Sequence, residues 1–310
     1  MSTNLTENVI SIPSTLIRKS FRDYPNSELL GQNLDQGLID REIPSVWNFS
    51  QGKGVKIAIL DTGVALNHPD LRGNIAKVKN FTKSIVGVYD IDGHGTHIAG
   101  IVSALRNNIN YVGVAPKSKL YIGKTLNDNG KGNPKNLIKG IKWAIKNKVN
   151  VLSLSLAFDD NIKEVEDAID KAIENEIIVV CAAGKLVSEI QFPGKYDPVI
   201  TVGISLGDEV AKISPQGKEL DILAPGISVK STEPYGEGVR SGTSMAAPFV
   251  SGVIALYLAK YKKELKGKKN IHSFIKNKLR GTASQKTEPN PNIYYGHGII
   301  DPIKFILSQP

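Results

Sequence analysis

Cysteine is almost absent from this chain, and its scarcity excludes folds that depend on internal disulfides. The one cysteine among 310 residues, Cys181, cannot form an internal disulfide. The fold must therefore be stabilised by packing alone, and a chain of this length can bury a sizeable core. Cys181 lies in the apolar run 177–182, which favours a buried small hydrophobe over a nucleophile. A lone cysteine is also compatible with a reducing compartment.

Two kinds of targeting segment are lacking as well. The N-terminus has no basic start followed by an apolar stretch, so we expect no secretory signal. No run is judged both long and apolar enough to span a bilayer. The chain as printed is therefore predicted to be cytoplasmic, with no membrane partner.

The net charge is +9, and lysines cluster between residues 260 and 269. That cluster contains a single aromatic residue, Tyr261, and no nucleic-acid-binding motif occurs, so we expect no nucleic-acid partner. A positive field instead favours an acidic peptide substrate. The oligomeric state is left open.

Apolar strands and helices alternate from about residue 32 onward. The β-branched run Val55–Leu60 predicts a buried strand. Further strands are predicted at 119–126, 149–156, 177–182 and 199–202, and helices at 94–105, 136–148, 162–174, 244–260 and 270–280. This alternation predicts an α/β fold with a mostly parallel central sheet and helices on both faces. We divide the chain into an N-terminal extension, 1–31, and one domain, 32–310.

Three motifs place reactive side chains at the ends of predicted elements. Asp61 ends a strand, whereas His94 and Ser244 each open a helix. Nucleophilic catalysis needs a hydroxyl, a base that takes its proton and a group that orients the base. An acid, a histidine and a serine supply these roles. A helix start at Ser244 also directs free N–H groups toward a developing oxyanion.

In this order the motifs 61–63, 92–97 and 242–248 resemble those of the subtilisin family of serine proteases. The resemblance runs from about Gln32 to Ile306. It implies a three-layer subtilisin-like fold and a serine endopeptidase that acts on a peptide or protein substrate through an acyl-enzyme. Ser244 is then the nucleophile, His94 the general base and acid, and Asp61 the orienting carboxylate.

Two segments resemble the strands that hold the substrate backbone in this family. They are Asn129, Gly130, Lys131, Gly132 and Ser155, Leu156, Ala157. The same resemblance implies a specificity pocket walled by 155–157 and by Ala182, Ala183 and Gly184, with Gln191 and Phe192 near its base. Ala157 and Phe158 replace the usual glycines and Gln191 a small residue, so we expect a narrower or more polar pocket. Lys131 and Lys135 either meet acidic substrate side chains or are merely solvated.

One residue departs from the family at the oxyanion hole. The family's Ala-Ala-Gly-Asn segment is Ala-Ala-Gly-Lys here, and no asparagine occurs between Cys181 and Gly207. The Lys185 ammonium is a candidate replacement donor. Otherwise the chain is a slowed protease, or a protease-fold binding protein without activity.

The resemblance also implies a structural calcium ion, which prefers oxygen ligands. The implied ligands are the side chains of Gln32, Asp70 and Asn107 and the carbonyls of Leu105, Ile109 and Tyr111. A calcium-free loop held by its own hydrogen bonds is the alternative.

The layout resembles intracellular subtilisins and signal-less leader peptidases of lantibiotic (modified antimicrobial peptide) biosynthesis. Two substrate classes stay open: a specific, acidic peptide or lantibiotic precursor leader, and proteins in general turnover. The proline-stiffened stretch Ile10–Pro13 is predicted to regulate the enzyme from in or near the cleft. A disordered tail is the alternative.

Overall fold

The computed structural model describes residues 32–284 and 288–310, together with the backbone of residues 14–15 and 28–29. The strands in chain order are β1 (Ser14–Thr15), β2 (Glu28–Leu29), β3 (Gln32–Asn33), β4 (Lys56–Asp61), β5 (Ile75–Asn80), β6 (Lys119–Lys124), β7 (Val151–Leu154), β8 (Ile178–Ala182), β9 (Ile200–Leu206), β10 (Glu209–Val210), β11 (Ile222–Pro225), β12 (Val229–Glu233) and β13 (Gly236–Gly242). The helices are α1 (Gln36–Asp40), α2 (Ile43–Val46), α3 (His94–Ser103), α4 (Pro134–Lys146), α5 (Lys163–Glu174), α6 (Thr243–Lys260), α7 (Ile271–Thr282) and α8 (Pro302–Leu307).

An eight-stranded sheet forms the centre, in the order β10-β9-β8-β7-β4-β6-β5 with β11 beside β9. Its strands run parallel except for β10. Asp61 is in register with Lys124, so the carboxyl ends of β4 and β6 lie at the same edge. The predicted parallel sheet is confirmed, and candidate sites in such sheets lie beyond this edge.

Helices cover both faces of the sheet, and each face has its own apolar cluster. On one face α4 and α5 pack through residues such as Leu137 and Ile169. On the other face α3 and α6 pack through Ile98 and Ile254. The start of α4 is fixed locally, because the Asn133 side chain accepts from the Asn136 N–H and a proline occupies the first helical position.

The expectation that no run resembles a membrane span was wrong for the described residues. Helix α6 is long and apolar enough to cross a membrane by length and composition. However, 83% of it is buried inside the fold, where it packs on the central sheet. Its apolar composition on all sides is that of a core helix.

The sequence analysis missed two features beside the sheet. Strand β5 lies at the edge and exposes Lys77, Val78 and Lys79, so it lacks the apolar alternation that reveals a strand. The hairpin of β12 and β13 was missed because β13 contains three glycines. It matters because β13 leads directly into the Ser244 helix.

Candidate active site

Asp61 and His94 meet at the carboxyl edge of the central sheet, whereas the Ser244 hydroxyl bonds the Ser155 carbonyl. Asp61 is the last residue of β4, His94 the first of α3, and Ser244 lies in the first turn of α6. All three are 0% exposed. His94 Nδ1 lies 2.8 Å from Asp61 Oδ1, a hydrogen bond in which the ring N–H donates. His94 Nε2 has no hydrogen-bond partner among the described residues, so this nitrogen is available to a substrate or nucleophile.

A buried carboxylate that the sequence analysis did not single out fixes the turn carrying His94. Asp90 Oδ1 accepts from the Thr62 hydroxyl at 2.8 Å and from the Gly93 N–H at 2.9 Å. Its Oδ2 accepts from the Thr96 N–H and hydroxyl, each at 2.7 Å. The network ties the residue after Asp61 to the first turn of α3. The available signal was an acidic residue just before the histidine motif.

Charged side chains surround the entrance to α3. Arg240 donates to Glu233 at 2.6 Å and lies 3.7 Å from Asp92, and Asp92 accepts from the His94 N–H. Burial raises the pKa of Asp92 and of Glu233, against the lowering effect of Arg240. Gly93 has φ +91°, and a Cβ there would come within 2.2 Å of Glu233. Glycine is therefore required where the chain turns into this helix.

A proline inside α6 couples the nucleophile candidate to the pocket wall. Pro248 has no N–H, so it cannot donate to the carbonyl of Ser244 four residues earlier. That carbonyl instead accepts from the Ser155 hydroxyl at 3.0 Å. In return, the Ser244 hydroxyl donates to the Ser155 carbonyl at 3.3 Å. The candidate nucleophile is thus positioned against a predicted substrate-binding segment.

A polar bridge joins Gln191, one of the predicted pocket residues, to Lys185 and Asp159. Gln191 accepts from the Lys185 N–H at 2.7 Å, and its amide donates to Asp159. The Lys185 ammonium lies 3.6 Å from Asp159. The Lys185 ammonium, which was predicted as an oxyanion donor, therefore pairs with Asp159. The sequence analysis did not name Asp159. Because both contacts span about 30 residues in sequence, no local pattern indicated them.

Aromatic and backbone contacts complete the pocket. Phe158 and Phe192 stack with ring centroids 6.2 Å apart, and Leu156 belongs to the same apolar cluster. Ala182 and Ala183 are fully buried. Gly184 has φ +126°, and a Cβ there would lie 2.8 Å from Gln191. The Thr243 hydroxyl donates to the Gly184 carbonyl at 2.7 Å. This contact holds the oxyanion segment against the start of α6.

The predicted substrate segment 129–132 forms a tight turn. The Asn127 side chain accepts from the N–H groups of Asn129 and Lys131, both at 3.0 Å. Gly132 bridges back to Leu126. Beneath the turn, the buried Lys124 ammonium contacts Asp128 at 2.8 Å and donates to the Thr62 carbonyl at 2.5 Å. Lys124 thus links this segment to the strand end carrying Asp61.

The six residues predicted to bind calcium lie together, and the Ile109 N–H donates to the Asn107 side-chain oxygen at 3.2 Å. The Gln32 amide nitrogen donates to the Leu105 carbonyl, the Asn107 side-chain oxygen and the Tyr111 carbonyl at 2.9, 3.2 and 3.0 Å. Asn107 also donates to Asp70 Oδ1 at 3.0 Å. Asp70 is fully buried, and its Oδ2 has no hydrogen-bond partner among the described residues.

This donor set fits a calcium ion. A buried carboxylate oxygen without a partner is costly unless a cation or donor approaches it. The Gln32 amide oxygen accepts from the N–H groups of Asn107 and Asn108 at 3.1 and 3.3 Å, so the amide nitrogen is the end that faces the three oxygens. A calcium ion that replaced this nitrogen would be met by those oxygens and by Asp70. No cluster of three His, Cys, Asp or Glu occurs among the described residues. Calcium does not need one, since amides and carbonyls are adequate ligands.

Comparison with known proteins defines the class. The subtilase family matches residues 52–298. An intracellular serine protease of Paenibacillus polymyxa is 38% identical over 277 residues, covering 84% of this chain and 85% of that protein. The major intracellular serine protease of Bacillus subtilis (strain 168) is 39% identical over 246 residues, covering 74% and 77%. A subtilisin of Bacillus pumilus is 38% identical over 279 residues, covering 87% and 98%.

The chain belongs to the subtilase family. It is a serine endopeptidase, and the predicted family, fold class and enzyme class are confirmed. Its substrate is accordingly a peptide or protein.

Proposed function

We propose that peptide hydrolysis proceeds through Asp61, His94 and Ser244. His94 Nε2 takes the Ser244 proton as Oγ attacks the scissile carbonyl carbon, and then gives it to the leaving amine. Water, activated by the same nitrogen, hydrolyses the acyl-enzyme. The 2.8 Å contact between Asp61 and His94 Nδ1 supports this assignment, because it keeps the proton on Nδ1 and leaves Nε2 as the base. To be activated, the Ser244 hydroxyl must turn from Ser155 to His94.

Labelling with a fluorophosphonate probe tests the nucleophile. We expect the wild type to be labelled stoichiometrically and Ser244→Ala not at all. Ser251→Ala is a matched control, because Ser251 lies in the same helix and only bonds the Ala247 carbonyl. Labelling of Ser244→Ala at the wild-type level would contradict the assignment. A wild type that is neither labelled nor active on any peptide would favour the alternative of a binding protein.

We further propose that the enzyme processes a selected peptide rather than degrading proteins generally. The observation that carries this proposal is the bridge from Lys185 and Gln191 to Asp159, in which Gln191 is one of the predicted pocket residues. A P1 side chain must displace it or fit beside it, which penalises bulky apolar residues. A leader peptide of a lantibiotic precursor is one substrate of the expected kind. General turnover is the alternative, and it predicts broad cleavage.

Digestion of a peptide library, read by mass spectrometry, separates these functions. We expect few cleaved sequences for the wild type and acceptance of large P1 residues by Gln191→Gly. Gln216→Gly, outside the pocket, is the control. Equal and broad cleavage by all three proteins would contradict selectivity.

Three further properties are proposed on the same basis. A calcium ion held by Gln32, Asp70, Leu105, Asn107, Ile109 and Tyr111 would brace the loop 105–111; it takes no part in the chemistry. A cytoplasmic location is supported by relatives that are named intracellular proteases.

Regulation by the N-terminal extension is supported by the pairing of β1 with β13, in which Ser14 opposes Gly242 and Thr15 opposes Ser241. The Ile10–Pro13 stretch lies outside the described residues.

A further inference from the structure

A basic cavity with an aromatic floor lies between α4 and the edge strand β5. We call it the α4 cavity; it is open, about 480 Å³ in volume, and is lined by Lys79, Asn80, Phe81, Thr82, Lys139, Lys142, Trp143 and Lys146. All four lysines are exposed, whereas Phe81 and Trp143 are half-buried. The cavity belongs neither to the triad nor to the predicted specificity pocket.

The floor of the cavity consists of packed aromatic rings. Phe81 and Trp143 pack edge to face with centroids 6.0 Å apart, and Trp143 also contacts Tyr121 at 6.1 Å. The Lys79 ammonium lies 5.4 Å from the Phe81 centroid, which holds a positive charge above the floor. The Phe81 N–H donates to the Lys124 carbonyl, so the floor is attached to the strand end beside the active site.

Among the residues that the structure describes, no carboxylate pairs with the lysines of the cavity. Among the ion pairs of the described residues, none involves Lys79, Lys139, Lys142 or Lys146. Helix α4 contains four lysines and no acid. The neighbouring helix α5 is acidic, but its ion pairs stay within α5, between Lys163 or Lys171 and its own carboxylates. The cavity therefore presents uncompensated positive charge to solvent.

The exposed lysines of α4 lead from the α4 cavity toward the predicted substrate cleft. The predicted substrate segment 129–132 leads directly into α4, with Lys131 and Lys135 exposed at the junction. From Lys135 to Lys146 the helix rises roughly 16 Å at 1.5 Å per residue. An extended peptide covers that distance with about five residues.

We propose that the α4 cavity is a substrate exosite that binds an acidic segment of the polypeptide, outside the residues around the scissile bond. This inference rests on the proposed endopeptidase function. Carboxylates of the segment pair with the lysines, and one apolar side chain packs on Phe81 and Trp143. Exposed charge pairs of this kind accelerate association and fix register more than they increase affinity.

The test uses two fluorogenic peptides with the same cleavable core, extended at the N-terminus by five glutamates or five glutamines. We expect wild-type kcat/KM to be about tenfold higher for the glutamate peptide at low salt, as several pairs of a few tenths of a kcal/mol imply. The preference should vanish in 0.5 M salt, where the Debye length is only about 4 Å. The quadruple substitution of Lys79, Lys139, Lys142 and Lys146 by Gln should abolish it without changing kcat/KM for the glutamine peptide.

A matched control removes the same charge elsewhere. Lys262, Lys263, Lys266 and Lys269 are exposed near the end of α6, and their replacement by Gln should leave the preference intact. Equal loss in both variants would show a net-charge effect and overturn the exosite. An unchanged preference for the glutamate peptide in the α4 variant would also overturn the exosite. The absence of that preference in the wild type would do the same.

Direct binding separates this proposal from the proposed chemistry. Full-length Ser244→Ala should bind a labelled pentaglutamate core peptide, measured by fluorescence anisotropy, and the α4 substitutions should abolish binding. This outcome supports the exosite even if wild type cleaves nothing. Binding of a labelled single-stranded oligonucleotide that requires the four lysines, without binding of the glutamate peptide, would overturn it.

Discussion

At the scale of single residues, substitution of Lys185 tests how the enzyme stabilises its transition state. Its ammonium pairs with Asp159 and its side chain is 51% exposed, so the resting enzyme does not hold this donor in the oxyanion hole. We expect Lys185→Ala to change kcat by less than about twofold. Lys185→Asn should raise kcat by up to about 10²–10³, the factor lost when subtilisin itself loses this asparagine.

The opposite result assigns Lys185 to the reaction. If substrate draws the ammonium to the oxyanion, Lys185→Ala lowers kcat with little change in KM, because the contact is made in the transition state. Asp159→Asn is the informative companion. It releases the ammonium without removing it, so it should leave kcat unaffected in the first case and raise it in the second. Steady-state kinetics on one good substrate measures all three variants.

Asp35 supplies a pH-dependent contribution to stability. It caps α1, accepting from the Gly37 N–H and the Lys230 N–H, each at 2.8 Å. Burial nevertheless raises its pKa from 3.8 to about 6. Between pH 4 and 6 the folded state therefore holds a proton that the unfolded state has released. Stability from this group is complete below pH 4 and is lost as pH rises through 6, on the order of 3 kcal/mol.

Urea unfolding at several pH values checks this prediction. Relative to Asp35→Asn, which cannot titrate, the wild type should lose free energy of unfolding as pH rises from 4 to 7. A difference between the two proteins that is constant with pH would contradict the raised pKa.

The candidate catalytic residues could be singled out from sequence because each lies in a local motif at the end of an element, and their catalytic roles stay predictions. Their contact partners could not be singled out. Asp90, Asp159 and Lys124 act through contacts between residues 26 to 62 positions apart, and only packing brings them to the site. The candidate catalytic residues carry the proposed chemistry, whereas these partners fix the local geometry around them.

At the scale of elements, those with a local apolar pattern were predictable and those without one were not. Buried parallel strands such as β4 and β8 were predictable because apolar residues run through them. The edge strand β5 was not, although it forms one side of the α4 cavity. Its exposed lysines protect an edge from pairing with other chains. A functional surface therefore lay where the apolar pattern was weakest.

The loop 105–111 provides a prediction at this scale. Chelation by EDTA should lower the melting temperature, since loss of a ligand of the native state at 100 times its Kd costs about 2.7 kcal/mol. Asp70→Asn should reduce the melting temperature and remove its response to EDTA. Asp160→Asn, an exposed aspartate near the pocket, should keep that response. An EDTA-insensitive wild type with no calcium after dialysis would exclude the site.

At the scale of the whole molecule, the N-terminal extension lies where it can restrict access to the candidate active site. The three triad side chains are fully buried, and β1 of the N-terminal extension pairs with β13 two residues before Ser244. The extension is joined to the domain at Gln32, which the proposed calcium site contains. Cleft and calcium site are thereby connected through one segment of chain.

The last prediction follows from this arrangement. Deleting residues 1–30 keeps Gln32 and removes β1, so kcat/KM should rise, by about tenfold if strand pairing is worth about 1.4 kcal/mol. In the full-length chain, joint replacement of Ser14 and Thr15 by Pro should raise activity similarly, because proline cannot donate the backbone hydrogen bonds of an antiparallel pair. A synthetic peptide of residues 1–30 should inhibit the truncated enzyme, whereas its Ser14→Pro, Thr15→Pro form should not. Equal activity of full-length and truncated proteins, with matching circular dichroism and melting curves, would show that the extension does not restrict the cleft.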